Sequence, residues 1–531
     1  MSNAFLKGTL VLTIGGAIVK VTGALNWMIL SRVLSAEGIG IYQLAFPIYV
    51  LAFTVSSAGF PVAISIVTAE KLANNDFKGA KRVFTVSLSV MAITGLIMSL
   101  LMYFGAGWLI DTHFVRDARA YHSLIALAPA VFFVTLLSSF RGYFQGWQFM
   151  TPTAVSQIVE QLVRVVTMIA FASMLLPQGL EYAAAGATFG AAPGAVFALG
   201  VLLAYYWQLK KRYQEKLKDQ VACTVQETKR SIIQRIVKLS IPVSLAQMLL
   251  PVVAILDLLI VPLRLETAGF SVERATELYG YLTGMALPLV NMATILTASL
   301  ALSLVPAISE AAALGDRQMS YQRVATAMRI SNLITIPACI GLSILATPVS
   351  QIFYGAPEAG TTVAVMVIGI FFLGMQQVST GILQGLSHTS IPLINMVISL
   401  LVKVLINWIL VALPWWGIVG AAWGTVADYA VAAILNIYFV KRYTGFSIDL
   451  VETGKMLVAG VAMGGVIYAV FGLLAAGGVF IATAAAIVAG SLIYGVVLIL
   501  TGGLVEQDIR ILPYVGPWLA EFLQRRKWLK K

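Results

Sequence analysis

Gly142-Tyr-Phe-Gln-Gly-Trp-Gln-Phe-Met-Thr-Pro152 leads into an apolar run that carries Glu160 and Arg164. The same text returns later in the chain. Gly381-Ile-Leu-Gln-Gly-Leu-Ser-His388 is followed by Pro392 and, again inside an apolar run, by Lys403. Gly142, Gln145 and Arg164 match Gly381, Gln384 and Lys403 at a shift of 239 residues, and Pro152 matches Pro392 at 240. A chain that repeats at this distance is built from two similar lobes. Each copy also holds a cation within an apolar helix, where an ionised side chain needs a reason to be.

The repeat extends in both directions. Pro47 matches Pro288, Glu70 and Asp76 match Glu310 and Asp316, and Phe132-Phe133 matches Phe371-Phe372, all at shifts of 239 to 241. Gly186 and Gly190 match Gly420 and Gly424 at 234, and Lys211-Arg212-Tyr213 matches Lys441-Arg442-Tyr443 at 230. A drifting shift is what insertions and deletions in loops produce.

Composition sets the environment. Of 531 residues 59% are hydrophobic and only 11% charged, with a mean hydropathy of +0.90. Soluble domains carry roughly 25% charged residues, so this chain lacks the means to cover a water-facing surface. Apolar segments fall near 9–31, 40–68, 83–108, 121–144, 152–176, 182–207, 238–263, 278–309, 324–346, 361–384, 391–413, 418–440, 453–475 and 479–503. Each approaches or exceeds the ~20 residues that cross a bilayer as a helix, and none shows the ten-residue alternation of a barrel strand. The expected fold is an all-α polytopic membrane protein with fourteen transmembrane helices. Segments one to six repeat as seven to twelve. Six is even, so the repeats are parallel, and a cavity shared by the lobes is the expected substrate site. The expected division is an N-lobe at 1–207, a basic cytoplasmic linker at 208–237, a C-lobe at 238–443, and segments thirteen and fourteen with a basic tail at 444–531.

The net charge is +12, and its distribution favours membrane orientation over nucleic-acid binding. Lys71, Lys78, Lys81 and Arg82, then Lys210 to Arg235, then Lys441 and Arg442, and finally Arg525 to Lys531 occupy alternate connections, while 177–182, 347–360 and 413–417 hold no cation. This places both termini in the cytoplasm. Lys7 is the only cation ahead of the first segment, which reads as a retained helix and not as a signal peptide. Cys223 and Cys339 fall at different depths and do not pair, and no Cys/His cluster suggests a metal or other cofactor.

Ionisable residues inside the segments are the candidate site. Lys20 lies midway along segment one, too central to snorkel easily to an interface. Asn26 follows on the same segment, and Arg32 closes it. Glu160 and Arg164 are one helical turn apart. They form either a self-neutralising pair or part of a site. In the second copy Ser399 stands for Glu160, so the cation persists at Lys403 where its local acid does not, with Asn407 one turn further. Asp257 sits between Pro251 and Pro262, opposite Asn26 in the repeat, and Arg264 follows at the mouth of the expected cavity as Arg32 does. Gly186, Gly190 and Gly194 form a close-packing stripe, whose third member is replaced by Asp428 in the second copy. Glu160, Asp257 and Asp428 are the charge-coupling candidates. Gln376-Gln377 and His388 are weaker, since a single histidine in a cytoplasmic turn is usually just hydrated.

Two runs resemble a known family: Arg32-Val-Leu-Ser-Ala-Glu-Gly-Ile-Gly-Ile-Tyr-Gln-Leu-Ala-Phe-Pro-Ile-Tyr49 and Leu256-Asp-Leu-Leu-Ile-Val-Pro-Leu-Arg-Leu-Glu-Thr-Ala-Gly-Phe270. They are similar to the polysaccharide-transporter branch of the multidrug/oligosaccharidyl-lipid/polysaccharide flippase superfamily, in its stage V sporulation protein B-like form. The resemblance implies a V-shaped pair of six-helix lobes and export of undecaprenyl-diphosphate-linked saccharides across a bacterial cytoplasmic membrane. In the related lipid II flippases, cations on the first helix serve the substrate diphosphate. Lys20 resembles one such position, and Asn26 stands at another where those proteins have a cation.

The expectation is therefore a monomeric flippase, not an enzyme, whose Lys20, Arg164 and Lys403 neutralise a diphosphate headgroup while the tail stays in lipid. Its expected partners are the lipid-linked anionic glycan, membrane lipids and cell-wall synthesis enzymes. Two other readings stay open. A cation-coupled multidrug exporter of the same superfamily would need a negative pocket. A scaffold for wall-synthesis enzymes would act through its basic loops.

Overall fold

The turn that opens the repeat is the same in both copies, bond for bond. Helix α4 (Ala120–Gly146) ends in a left-handed residue, Gln148, with φ 55°. The Gln148 N–H donates to Gln145 O at 2.9 Å and the Phe149 N–H to Phe144 O at 3.0 Å. In the second copy Ser387 has φ 64°, its N–H donates to Gln384 O at 3.0 Å, and the His388 N–H donates to Leu383 O at 2.9 Å. This pair of reversed bonds satisfies the last carbonyls of a helix and turns the chain sharply. The next helix follows at once, α5 (Thr151–Leu175) in one copy and Ser390–Leu410 in the other.

A second turn also repeats. The Asn75 N–H donates to Leu72 O and the Asp76 N–H to Lys71 O, and the Gly315 and Asp316 N–H groups make the equivalent bonds to Ala312 and Ala311. Asp76 then caps the following helix by accepting from the Gly79 N–H at 2.8 Å, and Asp316 does so from Met319 at 2.9 Å. A side-chain carboxylate at this position satisfies an otherwise unpaired backbone donor.

The computed structural model describes residues 3–57, 59–212 and 227–503, with side chains for 15, 16 and from 18 onward within them. Cys223 and the rest of 213–226, the side chain of Lys7, and the tail 504–531 with its five terminal cations lie outside the described residues. Cys339 is a free thiol, half-buried.

In chain order the remaining helices are α1 (Asn3–Ser57), α2 (Phe60–Ala73), α3 (Phe77–Asp111), α6 (Leu180–Phe189), α7 (Ala191–Arg212), α8 (Lys229–Thr267) and α9 (Val272–Gly280). A π-helical turn at Tyr281–Ala286 precedes α10 (Leu287–Ala293), α11 (Ile295–Ala313), α12 (Arg317–Ile344), α13 (Ala346–Tyr354), α14 (Gly360–Met366), α15 (Gly369–Gly385), α16 (Ser390–Leu410), α17 (Gly417–Thr444), α18 (Leu450–Leu474) and α19 (Val479–Leu500). Among the described residues each apolar segment falls largely on helix, with breaks such as those at Thr294 and at 367–368. Among the described residues twelve helices are long and apolar enough to span a membrane, or thirteen when the pair at 357–366 and 369–385, bent by 43°, counts as one. The sequence reading counts fourteen. The difference lies in the 56-residue stretch Ile18–Ala73. As unbroken helix at ~1.5 Å per residue it would be about 84 Å long, against a hydrocarbon core of about 30 Å. Ser35, at φ 59° and ψ 179°, breaks it between the parts read as segments one and two. The outer faces carry large apolar side chains such as Leu101, Phe104 and Trp108. This is a multi-pass membrane protein.

The chain forms two compact units, Met1–Glu266 with Phe270–Gly280, and Thr267–Gly269 with Tyr281–Lys531. Helices α8 and α9 open the second repeat in sequence but group with the first unit. Ile232 and Ile236 of α8 are buried among Ala63, Val67 and Val83, and Arg235 pairs with Glu70. On α9, the Gly280 Cα lies so close to α1 that a Cβ there would stand 2.4 Å from Ala36 O. A Cβ on Gly40 would stand 2.1 Å from Thr276 O. Of the two glycines in Glu37-Gly-Ile-Gly40, Gly40 thus sits where two backbones touch, while Gly38 lies against the Leu180 side chain. In the second unit, α18 and α19 pack with α12, with Gly460 and Gly464 set against Ile340 and Ile344.

Candidate functional site

In the first unit α5 is held by the small residues that follow it. A Cβ on Gly186 would sit 2.8 Å from Phe171 O, on Gly190 2.5 Å from Met168 Cγ, and on Gly194 2.7 Å from Glu160 O. The stripe brings the α6–α7 backbone against α5 and leaves the polar face of α5 turned toward α4 and α1. On that face Glu160 is the centre of an ion cluster. Its Oε1 accepts from Arg164 Nη2 at 2.8 Å and its Oε2 from Arg141 Nη2 at 2.7 Å, while Arg141 Nε donates to Ser156 Oγ at 3.1 Å. The three side chains are 12 to 22% exposed. Two cations and one anion leave the cluster formally one charge positive. Tyr42 and Tyr49, two turns apart on α1, lie within electrostatic reach of Arg164.

Arg141 is absent from the candidates drawn from sequence. It binds from another helix, so no i,i+4 spacing reveals it. The available signal was a cation inside segment four, directly before Gly142.

Helix α1 runs parallel to α5. Gly15 faces Ala154, Gly23 faces Gln161 and Asn26 faces Met168. Asn26 is buried, donating only to Met168 Sδ at 3.7 Å, and its Oδ1 has no hydrogen-bond partner. Lys20 is exposed and makes no ion pair among the described residues. It is not in the Glu160 cluster.

In the second unit Lys403 and Asn407 are buried on α16, at 4 and 1% exposure. They face α17, where a Cβ on Gly424 would stand 2.0 Å from Asn407 Oδ1 and 3.5 Å from Lys403 O. Asp428, one turn beyond Gly424, accepts a hydrogen bond from Ser399 Oγ at 2.5 Å. Thr380 and Asn395 occupy the positions of Arg141 and Ser156. They are joined through Asn436, whose Oδ1 accepts from Asn395 at 2.8 Å and whose Nδ2 donates to Thr380 at 3.0 Å.

Asp257 is half-buried on α8, within electrostatic reach of Tyr279. Arg32 is exposed and Arg264 half-buried. Nearby in the first unit, Arg116 pairs with Glu266 at 3.1 Å. Buried Asp117 accepts from the Arg119 guanidinium at 2.7 Å and from Thr276 Oγ1 at 2.9 Å, and Arg119 also reaches Glu37 at 2.5 Å. The hydrogen bond to Asp117 holds the Arg119 pKa above its ordinary value. Among the described residues no three His, Cys, Asp or Glu side chains gather where a metal could bind.

A repeated, ion-bearing helical membrane fold defines a class of polytopic transporters. The chain matches the family described as polysaccharide biosynthesis protein over residues 5–312, and MatE over 282–409. It belongs to the polysaccharide biosynthesis protein family, within the multidrug/oligosaccharidyl-lipid/polysaccharide flippase superfamily. It is 30% identical to stage V sporulation protein B of Bacillus subtilis (strain 168), over 97% of this chain and 98% of that protein. It is 26% identical to lipid II flippase MurJ of the same organism, over 87% of this chain and 88% of that protein. Among solved structures it resembles lipid II flippase MurJ in an inward closed conformation, with TM-score 0.70, 16% identity, and coverage of 92% of this chain and 98% of that one. An inward-facing multidrug resistance MATE family transporter follows, with TM-score 0.63, 16% identity, and coverage of 82 and 98%. The resemblance read from residues 32–49 and 256–270 is thereby established.

Proposed function

We propose that this protein is a flippase that carries lipid-linked saccharide precursors of the undecaprenyl-diphosphate type from the cytoplasmic to the outer leaflet, by alternating access, for wall, spore-cortex or polysaccharide synthesis. The similarity along most of the chain to a relative named a lipid II flippase carries this reading. The intramembrane charges support it. Each repeat keeps a cation at the same place, Arg164 and Lys403, and the Glu160 cluster retains a net positive charge. A diphosphate leaves water only against several positive partners, and an arginine can hold it through two parallel N–H donors. Lys20, exposed within a membrane span, is a third such partner. Asp257 and Asp428 then act as counter-charges that receive the cations when the headgroup departs. The protein works as a monomer in a bacterial cytoplasmic membrane, with its basic connections and both termini in the cytoplasm.

The MatE match and the MATE neighbours favour one other reading, export of organic cations. That chemistry needs carboxylates in excess, and the α5 cluster has the opposite sign. Depletion of the protein distinguishes the two. The flippase reading predicts accumulation of a lipid-linked saccharide whose mass identifies the cargo. Normal precursor levels, with heightened sensitivity to cationic drugs, support export instead.

A further inference from the structure

At one end of the first unit, where basic connections leave the membrane spans, the ends of three helices meet at a shallow surface groove. Its wall is aromatic: Phe77 from the start of α3, Tyr143 and Trp147 from the end of α4, and Tyr206 from α7. The Phe77 and Trp147 rings lie 6.1 Å apart, and Tyr143 stands 6.2 Å from both Trp147 and Tyr206. Its rim is cationic, with Lys81 one turn from Phe77 and Lys210 one turn from Tyr206. Neither lysine has an ion-pair partner among the described residues.

The equivalent place in the second unit is built from different side chains. Ile382, Leu386 and Val440 occupy the places of Tyr143, Trp147 and Tyr206 at the repeat shifts of 239 and 234. They form part of an apolar core with Phe446 and Ile448, which return after α17. Tyr321 stands where Lys81 does, and its ring packs 6.1 Å from Phe446. At this place the first unit's core ends in aromatic rings flanked by two lysines, where the second unit's core ends in aliphatic side chains and Tyr321.

We propose that this groove is a binding site for the headgroup phosphate of an anionic membrane phospholipid. It lies at the ends of α3, α4 and α7, and at the ends of membrane spans Trp and Tyr rings with one apolar and one wet end are favoured. Basic pockets between spans at that level attract anionic headgroups, and long lysine stems extend toward the interface. The phosphate sits between Lys81 and Lys210, with the glycerol backbone over the aromatic wall and the acyl chains in the bilayer. The site is separate from Glu160, Arg164 and Lys20, and it serves a resident lipid independently of the transported cargo.

The test uses the full-length protein in detergent, with bound lipids counted by native mass spectrometry. Phosphatidylglycerol and phosphatidylcholine with identical acyl chains are titrated against the wild type, Lys81→Gln/Lys210→Gln and Lys81→Arg/Lys210→Arg. With each lysine contributing about fivefold, the double Gln variant is expected to lose roughly thirtyfold of its preference for phosphatidylglycerol, while the Arg pair retains it. Millimolar inorganic phosphate leaves the lipid bound. Equal retention of the two lipids by the wild type, an undiminished preference in the double Gln variant, or displacement of the lipid by free phosphate each overturns the proposal. If the double Gln variant fails to fold, the single variants decide, with a loss of about fivefold expected from each and no loss in either overturning it.

Discussion

The contact of α5 with α7 in the first unit and that of α16 with α17 in the second are the same contact with its acid moved. In the first, Gly194 of α7 lies against the Glu160 backbone, and the carboxylate is on α5. In the second, Asp428 stands in the place of Gly194 and Ser399 in the place of Glu160, so the carboxylate is on α17 and is bonded back to Ser399. The cation has not moved. Arg164 and Lys403 hold equivalent positions one turn beyond the exchanged pair. An acid is exchangeable across a helix contact when its role is to satisfy charge, because either helix can deliver it. The cation is thus the constant element of the contact, and this constancy is what supports proposing it as a headgroup partner. Around this exchange the units diverge further. The first builds an ionic network through Arg141, and the second a neutral one through Asn395, Asn436 and Thr380.

The largest stability difference should come from removing the two acids. Glu160→Gln leaves Arg141 and Arg164 facing each other without their shared anion. Breaking a buried pair in this way costs about 3–5 kcal/mol, read as a lowered thermal midpoint of the purified protein. Asp428→Asn keeps a hydrogen-bond acceptor for Ser399 and should cost about 1–3 kcal/mol. Equal losses would mean that the Arg141 network adds nothing and that the two contacts are energetically alike.

A smaller pair of effects inverts what bare distances suggest. A Cβ at Gly424 would stand 2.0 Å from Asn407 Oδ1, and one at Gly194 2.7 Å from Glu160 O. The first obstacle is the tip of a side chain that can rotate, and the second is helix backbone. Gly194→Ala should therefore cost about 1–3 kcal/mol as overpacking, and Gly424→Ala less than that. The reverse order would show that Asn407 is fixed as firmly as a backbone, which would sharpen its claim to a role beside Lys403.

The sequence carried much of this comparison. The matches of Gly142 with Gly381 and of Asp76 with Asp316 are local signals, and they mark turns whose hydrogen bonds proved equivalent. The swap of Gly194 for Asp428 and of Glu160 for Ser399 was readable from register alone. What was hidden lies across helices. Arg141 meets Glu160 from nineteen residues away, Asn436 joins two partners on two other helices, and Asp117 reaches Thr276 from 159 residues away. Such contacts depend on helix rotation, which period and spacing leave undetermined. One sequence match was misleading. Lys211 lies seventeen residues beyond Gly194, but Lys441 only thirteen beyond Asp428. Both intervals are unbroken helix. The basic end of α7 is therefore one turn further from the shared contact, and no loop insertion accounts for the shift.

On the function proposed above, Arg164 and Lys403 are retained for an anionic headgroup. The most direct measurement is translocation of the lipid-linked precursor in cells carrying Arg164→Gln or Lys403→Gln at normal protein levels. Loss of one charged hydrogen bond, worth about 1.5–3 kcal/mol, predicts a fall of roughly ten- to hundredfold for each variant, with the precursor accumulating on the cytoplasmic side. Undiminished translocation in both variants would contradict the account.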